Sequence, residues 1–440
     1  MQSTFKKFIS QNKLIKAGER VLLAVSGGID SVVMCDLFAQ SGIQFAIVHC
    51  NFGLRGKESE DDEKFVKNLS VKYIVPFFCK KFEAKNVSEK NKISIQMAAR
   101  DLRYAWFEKL LKEEKYSFIA TAHHQDDNAE TILLNWLRGS GIAGMTGIPV
   151  KNQKTIRPLL FASRSDIEQY AKKNKLMYRE DSSNRSLDYT RNFLRHKVMP
   201  LLREINPSLA ETAMTNAMRM DDAEKLYHHC IENYKSEIVQ EKQNSLLISI
   251  SLLKKSAAPH SVLFEIIKPY GFTFDETGRM IQSLEALSGK QFQTTTHRLI
   301  KDRTHLIVEP LKNKTEKLSY RIRENQKEIV EPLHLIFSKE KYNNQNLKTT
   351  PDKVYLDYDK IKFPLTLRKW KQGDVFVPYG MKGKKKLSDF FIDQKLSISE
   401  KENVWVLCSG EKIVWVVGMR MDDRFKVTAQ TKKVLIIKLH

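Results

Sequence analysis

A short apolar segment that leads straight into a glycine turn most limits what this chain can fold into. Residues 21–25 (VLLAV) are apolar, residues 26–31 (SGGIDS) follow, and residues 32–34 (VVM) are apolar again. This order predicts a buried strand, a tight turn and the first turn of a helix. Strands that lead into helices are the building units of parallel α/β folds.

The same turn has the chemistry of an anion-binding loop. A helix N-terminus exposes unpaired N–H groups and carries partial positive charge. Gly27 and Gly28 would let the backbone approach a phosphate closely, and Ser26 and Ser31 add hydroxyl donors. We therefore predict that this loop binds phosphate. The alternative is an ordinary strand-to-helix turn capped by Ser26 or Asp30.

Two common nucleotide loops are excluded. The nucleotide triphosphatase P-loop requires a lysine near its end, and Ile29, Asp30 and Ser31 supply none. The dinucleotide fingerprint requires a third glycine, which is also missing. The loop instead resembles that of the ATP pyrophosphatases, which split ATP between its α and β phosphates. This resemblance implies that residues 26–31 bind ATP and hold the pyrophosphate, and that Asp30 acts through Mg²⁺ or its water shell.

Charge and cysteine usage narrow the class of protein. A formal net charge of +22 is too large for a protein that handles only small neutral ligands, and it favours a nucleic-acid partner. A merely soluble basic protein is the alternative. The five cysteines never form C-x-x-C, which argues against a zinc ribbon or a disulfide framework. No stretch approaches the roughly 18 apolar residues of a membrane span, so we expect a cytoplasmic protein without membrane contact.

The N-terminal half alternates short apolar runs with helical patterns. Further strands are predicted over 43–48, 73–78 and 118–122, and a helix over 94–112. This alternation predicts a Rossmann-like α/β domain with a parallel sheet and right-handed crossovers. Because ligands bind at the carboxyl ends of such strands, Ser26, His49 and His123 should meet at one edge.

The rest of the chain changes character twice. Beyond Asn206 the pattern is mostly helical, the stretch from Lys312 is rich in Lys, Glu and Asn, and the end alternates β-branched and aromatic runs with turns. The predicted divisions are a catalytic domain over 1–205, a mostly helical domain over 206–311, a linker over 312–350 and a small α+β domain over 351–440.

A second motif follows the predicted fourth strand. Residues 121–131 (TAHHQDDNAET) contain two histidines and three carboxylates. A helix from about Gln125 would place Asp127 and Glu130 on one side. The cluster is a solvated helix start, a metal site, or a polar site that binds ATP-linked Mg²⁺ and an amine. Adjacent histidines cannot easily bind one ion, which disfavours the metal site.

Together the two motifs resemble those of the tRNA(Ile)-lysidine synthetases. Other segments of that family's pattern follow in the same order: 49–55, 99–104, 138–141, 156–160, 181–184, 191–195, 370–374 and 415–420. The resemblance covers the chain except about 230–350, and it implies an ATP pyrophosphatase domain followed by two tRNA-binding domains. Residues 399–403 (SEKEN) depart from the pattern, where a basic or proline-containing segment is expected. This departure puts a tRNA contact there in doubt.

The resemblance also implies a reaction. The family joins the ε-amine of free L-lysine to C2 of the wobble cytidine in a CAU-anticodon tRNA(Ile), so that the tRNA reads AUA instead of AUG. The cytidine first attacks the α-phosphate of ATP and releases pyrophosphate. Lysine then displaces AMP. Similar synthetases are often dimers, so a homodimer is a further expectation.

The resemblance assigns candidate residues to the second step. A lysine ammonium with a pKa of about 10.4 is not a nucleophile at neutral pH. Asp127 and Glu130 are predicted to bind, orient and deprotonate the amine, with His123 as a stabiliser or proton carrier. Arg100 and Arg191 are predicted donors to the AMP phosphate or the lysine carboxylate. For both arginines, a surface ion pair is the alternative.

The remaining candidates contact ATP or tRNA. His49 and Asn51 should approach the ATP site, and Arg195 is assigned to tRNA binding. A basic stretch near Trp370 and Phe390 fits a phosphate-contacting surface, with a solvated charge run as the alternative. Its members are Lys382, Lys384, Lys385 and Lys386.

Three rival functions remain open from the sequence. A tRNA thiolase of the same superfamily would commonly need paired or catalytic cysteines. An amidotransferase would need a glutaminase domain with a cysteine nucleophile, for which the chain has no motif. An RNA-binding protein without catalysis would need neither the phosphate loop nor the His-His-x-Asp-Asp cluster.

Overall fold

The computed structural model describes residues 1–54, 56–179, 190–242, 244–311, 319–343 and 347–440. These residues separate into two compact units, Met1–His229 and Cys230–His440. The family segment at 181–184 and the end of the 49–55 segment, Arg55, lie outside the described residues. None of the described helices combines the length and the apolar character needed to cross a membrane.

A mostly parallel sheet forms the centre of the first unit. Its strands are β1 (Val21–Ala24), β2 (Phe45–Asn51), β3 (Phe77–Lys81), β4 (Phe118–Ala120), β5 (Lys151–Asn152) and β6 (Thr155–Ile156). Their order is β3-β2-β1-β4-β6-β5, and every pairing except the β5–β6 hairpin is parallel. The predicted parallel α/β sheet is confirmed. The strand predicted over 73–78 begins later, because Tyr73 ends a helix and packs on the core.

Helices cover both faces of this sheet. The helices that begin in this unit are α1 (Gln2–Gln11), α2 (Ile29–Ser41), α3 (Lys57–Tyr73), α4 (Ala84–Asn91), α5 (Ile95–Glu113), α6 (Gln125–Leu137), α7 (Gly141–Met145), α8 (Arg164–Lys173), α9 (Thr190–Phe193), α10 (Met199–Ile205) and α11 (Leu209–Ile238). From β1, Leu23 packs in the same cluster as Leu37 of α2, whereas Leu22 packs in the same cluster as Phe107 of α5. Burial on both faces explains the continuous apolar run of β1.

A buried carboxylate ties α2 to two other helices. Asp36 accepts hydrogen bonds from the Tyr73 hydroxyl of α3 (3.0 Å), the Tyr170 hydroxyl of α8 (2.8 Å) and the Gln40 amide (2.9 Å). Burial and the nearby Asp36 charge raise the pKa of both tyrosines, so their hydroxyls stay protonated as donors. The helix that begins at the phosphate loop is therefore fixed by polar contacts as well as by apolar packing.

The second unit contains most of the strands. Its helices are α12 (Ile250–Lys255), α13 (Pro259–Ile267), α14 (Phe274–Gln282), α15 (Leu387–Asp393) and α16 (Ile398–Asn403). Its strands are β7 (Val239–Lys242), β8 (Ser245–Ser249), β9 (Gln291–Gln293), β10 (His297–Lys301), β11 (His305–Pro310), β12 (Ser319–Ile322), β13 (Glu328–Ile329), β14 (Leu335–Lys341), β15 (Lys353–Asp357), β16 (Leu365–Lys369), β17 (Val375–Phe376), β18 (Lys385–Lys386), β19 (Trp405–Ser409), β20 (Lys412–Val416), β21 (Arg420–Met421) and β22 (Lys433–Leu439). The larger sheets run β7-β8-β11-β10-β9, β12-β16-β19-β20-β21 and β13-β14-β22-β15.

Two regions beyond residue 205 differ from expectation. The predicted helical region 206–311, which begins in the first unit, contains helices but also an antiparallel sheet of β7 to β11 that the sequence did not predict. The predicted linker over 312–350 contains β12, β13 and β14 among its described residues. β14 pairs along its whole length with β22, close to the C-terminus. A strand whose partner lies so far along the chain leaves a weak local signal, which explains the difference.

We predict that Asp36→Asn destabilises the protein by about 2–3 kcal/mol, because it weakens the charge-assisted hydrogen bonds that a buried carboxylate accepts from Tyr73, Tyr170 and Gln40. The free energy of unfolding from urea titration of the full chain measures this. Asp61→Asn, which changes an exposed carboxylate 3.9 Å from Lys64, is the matched control. Equal effects of the two substitutions would contradict the role given to Asp36.

Candidate active site

A cavity of about 520 Å³ opens at the carboxyl edge of the sheet in the first unit. Ser26 after β1, His49 in β2 and His123 after β4 all line it. The sequence predicts this meeting, since the carboxyl ends of parallel strands share one edge. Arg100 and Arg191 also line the cavity, so several candidate residues surround one space.

The phosphate loop is held in shape by its own serines. Gly28 is the N-cap of α2, and Gly27 has a φ of +97°, a conformation that favours glycine. The Ser31 hydroxyl donates to the Gly28 carbonyl (2.8 Å), and Ser26 Oγ accepts from the Gly28 N–H (3.3 Å). The loop is therefore held by hydrogen bonds among its own residues.

Asp30 binds a cationic side chain from α8. Arg164 Nη1 donates to both Asp30 oxygens, at 3.0 and 3.1 Å. Burial raises the pKa of Asp30, although His124 and Arg164 oppose the shift. The carboxylate also lines the cavity, so one face of it is directed to the ligand space.

The first turn of α6 concentrates negative charge at a helix N-terminus, where it is favoured. Asp127 Oδ2 accepts the His124 N–H at 3.2 Å. Asp126 accepts from Arg203 Nη2 and from the backbone N–H of Arg164, both at 2.7 Å. Burial opposes ionisation of Asp126, but the His124 side chain, these donors and the His124 charge keep its pKa well below the usual range.

Two arginines bind the other carboxylates of α6. Arg195 donates from Nε to Glu130 Oε1 (2.6 Å) and from Nη2 to Glu130 Oε2 (2.8 Å) and Asp127 Oδ1 (2.7 Å). Arg191 Nε donates to Glu130 Oε2 at 3.1 Å. The Glu130 side chain is only 2% exposed, while Asp127 lines the cavity. The structure thus separates the two predicted acids: Asp127 faces the ligand space and Glu130 holds the arginines.

The adjacent histidines have opposite electrostatics. Burial lowers the pKa of His123 to about 4, and its Nδ1 lies 2.9 Å from the Thr121 hydroxyl. Burial also disfavours charge on His124, but Asp126, Asp127 and Asp30 outweigh it and raise the pKa. Nδ1 of His124 is 3.5 Å from Asp126 Oδ2, too long for a good hydrogen bond, so the attraction is mainly coulombic. At physiological pH, the low pKa of His123 leaves that ring neutral.

His49 and Asn51, which are also predicted to contact ATP, line the cavity and have hydrogen-bond partners within the protein. His49 Nδ1 lies 2.8 Å from the Val25 carbonyl. Asn51 donates to Glu63 Oε2 (2.8 Å) and accepts from the Gly53 N–H (2.9 Å), so it also shapes the loop after β2.

The sequence reading missed three arginines of this site. Arg164 and Arg203 bind Asp30 and Asp126, as described above. The Arg179 side chain forms an ion pair with Asp62, and the Arg179 backbone N–H donates to the Gly27 carbonyl at 3.0 Å. None of the three lies in a motif described above, and only the folded chain brings them to the carboxylates that they bind.

The predicted basic surface lies in the second unit. Lys382, Lys384 and Lys386 are exposed, whereas Lys385 is half-buried and pairs with Asp393. The neighbouring aromatic residues, Trp370 and Phe390, belong to the core. Trp370 Nε1 donates to the Lys401 carbonyl (2.6 Å), and Phe390 is 5% exposed. These two rings are therefore packing residues and do not form a stacking surface.

We predict that NMR titration separates the two histidines. His123 should titrate with a midpoint near 4, and His124 with a midpoint above the ordinary 6.5. Because the pKa of His123 falls on folding, the unfolded chain binds this proton first, and this group lowers stability as pH drops from 6.5 to about 4. Single His→Asn variants assign the resonances. A His123 midpoint near 6.5 would contradict the described burial.

Three family models match the chain. A model described as PP-loop domain matches residues 1–202, which include the whole cavity lining. One described as TilS substrate binding domain matches 240–311, and one described as TilS substrate C-terminal domain matches 365–437.

Relatives match over nearly the full length. The tRNA(Ile)-lysidine synthase of Parabacteroides distasonis is 42% identical over 438 residues, 99% of each chain. That of Bacteroides thetaiotaomicron is 38% identical over all of both chains, and that of Porphyromonas gingivalis strain W83 is 37% identical over 95% of this chain and 94% of its own. The cavity at the phosphate loop lies within the PP-loop match, and the relatives match nearly the whole chain. This chain therefore belongs to the tRNA(Ile)-lysidine synthase family.

Proposed function

We propose that this chain joins the ε-amine of L-lysine to C2 of the wobble cytidine in CAU-anticodon tRNA(Ile). Family membership makes it an ATP-dependent ligase that modifies tRNA(Ile). In this proposal it acts in the cytoplasm. One observation carries the chemical detail: residues of the phosphate loop and the ionised Asp127 line a single cavity. The reaction needs an activated phosphate and an amine in the same space.

In the first step the cytidine O2 attacks the α-phosphate of ATP. The bond to the pyrophosphate breaks, and the pyrophosphate is received by the Ser26–Ser31 loop. The wobble base must leave the anticodon stack to do this, which single-stranded loops allow. Arg100 and Arg191 line the cavity and can bind the AMP phosphate or the lysine carboxylate.

In the second step the lysine amine attacks C2 and expels AMP. Burial opposes ionisation of Asp127, but the charges of His124, Arg191 and Arg195 lower its pKa, so the carboxylate is ionised. It can therefore bind the lysine ammonium. The ammonium loses one proton to water before the attack, because only the free amine has an electron pair that can bond to C2. As the C–N bond forms and the C2–O bond to AMP breaks, the second N–H becomes acidic, and Asp127 can accept that proton. His123 is neutral, so it adds no charge beside Asp127 and the lysine ammonium.

The residues present fit a Mg²⁺ ion that arrives with ATP. Mg²⁺ in nucleotide sites is commonly bound by one or two carboxylates, by phosphates and by water. Asp30 lies beside the phosphate loop, faces the cavity and already binds the cationic Arg164. Asp30 would hold the ion, which when bound neutralises charge on the leaving pyrophosphate. The described residues contain no cluster of three His, Cys, Asp or Glu side chains that could bind a metal without the nucleotide.

The cysteines disfavour the thiolase alternative. Sulfur transfer by a cysteine requires a thiolate. Burial is the main cause that raises the pKa of Cys50 and of Cys79 to about 12, so both thiols are protonated at neutral pH. Cys35 is fully buried, and its pKa is raised further by the same cause. The three cysteines of the first unit are thus poor nucleophiles.

The tRNA contacts and the assembly state complete the proposal. The exposed lysines of the second unit and the region 206–311 would bind tRNA phosphates. In this proposal Arg195 acts on tRNA indirectly, because its guanidinium is bound to Glu130 and Asp127. A homodimer stays a prediction.

We predict lysine transfer with Mg²⁺-ATP, labelled lysine and CAU-anticodon tRNA(Ile) transcripts. Label should enter acid-insoluble tRNA only when the wobble base is cytidine, and it should resist mild alkali, which cleaves aminoacyl esters. A transcript with uridine at that position is the control. AMP release without lysine incorporation would indicate a different nucleophile, and no ATP cleavage with any tRNA would contradict the proposal.

A further inference from the structure

The helix α16 coincides with the acidic segment that departs from the family pattern. It belongs to the part matched by the C-terminal family model, 365–437. Its side chains, however, reach the part matched over 240–311. Both parts lie within the second unit, so α16 forms a contact between two family domains of one compact body.

A cluster of charged and polar groups forms this contact. Arg298 Nη1 and Nη2 donate to the two oxygens of Glu402, at 3.0 and 2.5 Å, and its Nε donates to Glu309 Oε1 at 2.7 Å. The Ser399 hydroxyl donates to Glu309 Oε2 at 2.5 Å. These four residues, Arg298, Glu309, Ser399 and Glu402, are called the α16 latch below. One guanidinium thus joins carboxylates from both domains.

The receiving side of the latch is rigid. Arg298 in β10 and Glu309 in β11 are direct cross-strand neighbours. Both are nearly buried, with 9% and 8% exposure. An apolar contact adds to the polar ones, because a Cβ at Gly289 would lie 3.3 Å from Ile398 Cδ1. Glycine, with a φ of +114°, allows the first residue of α16 to approach this closely.

The helix is equally fixed in its own domain. Trp370 Nε1 donates to the Lys401 carbonyl, and Ser397 and Glu400 form a capping box at the start of α16. Val404, directly after the helix, is buried in the C-terminal core. Glu402 therefore lies on a helix that is firmly attached to the core of the C-terminal domain.

The contact between the two domains depends on charged groups from each of them. The pKa of Arg298 is raised, first by its hydrogen bond to Glu402 and then by Glu309 against the effect of burial. When Glu402 is removed, Arg298 stays paired with Glu309 inside its own domain, but the two-point contact to α16 is lost. Removal of Glu402 should therefore weaken the contact between the two domains.

We propose that the α16 latch positions the 240–311 and 365–437 domains so that both bind one tRNA together. This inference rests on the proposed tRNA ligase function. Arg298 and Glu402 are positioning residues, since they lie in the second unit, whereas the cavity is lined by residues of the first. The segment whose direct tRNA contact the sequence put in doubt thus acts on tRNA through domain placement.

Charge reversal tests the latch in the full chain. Arg298→Glu and Glu402→Arg should each raise the KM for tRNA by about tenfold, while ATP affinity from calorimetry changes by less than about twofold. The double variant restores an Arg–Glu pair and should recover the KM to within about threefold of wild type. Glu285→Gln, which removes an exposed partner of Lys254 inside one domain, is the matched control.

Two results would overturn the latch: single reversals that leave the KM for tRNA unchanged, or a double variant no better than the singles. If circular dichroism shows that a reversal variant is unfolded, Glu402→Gln and Ser399→Ala replace it, with a rise in KM of about threefold expected for each. If the wild-type chain forms no lysidine, the proposed function fails, and filter-binding affinity for tRNA with the same variants still tests the latch.

Discussion

The paired arginines on Asp127 and Glu130 are the interaction on which the site depends. Buried carboxylates are costly unless they are paired and hydrogen-bonded. Arg191 and Arg195 supply that pairing from a segment about 60 residues further along the chain. Together with the charge of His124, the same contacts keep Asp127 ionised at the cavity wall. They help α6 to hold carboxylates that are both buried and charged beside a phosphate loop.

An arginine of the second unit forms a similar pair of contacts. Arg298 joins two carboxylates in the second unit, as Arg195 does in the first. A planar guanidinium offers several donors in a fixed arrangement, so it can bind two acidic side chains at once. Both carboxylates lie in α6 for Arg195, whereas for Arg298 they lie in β11 and α16. In the first unit this arrangement organises the proposed chemistry, and in the second it joins two domains.

The sequence predicts the parts of this structure that depend on local order. The phosphate loop, the parallel sheet and the meeting of Ser26, His49 and His123 follow from strand and helix order alone. Spacing placed Asp127 and Glu130 on one side of a helix, but it could not show which of them is buried. That depends on Arg195, which no local pattern links to α6. The β14–β22 pairing was missed for the same reason.

Rapid-quench kinetics of Asp127→Asn tests the central claim that Asp127 serves the amine and not the phosphate. With tRNA and ATP, this variant should still release pyrophosphate within about threefold of the wild-type rate, while lysine transfer falls by about a hundredfold or more. Adenylated tRNA should then accumulate. Equal loss of both steps would contradict the account, because Asp127 would then act before or during adenylation.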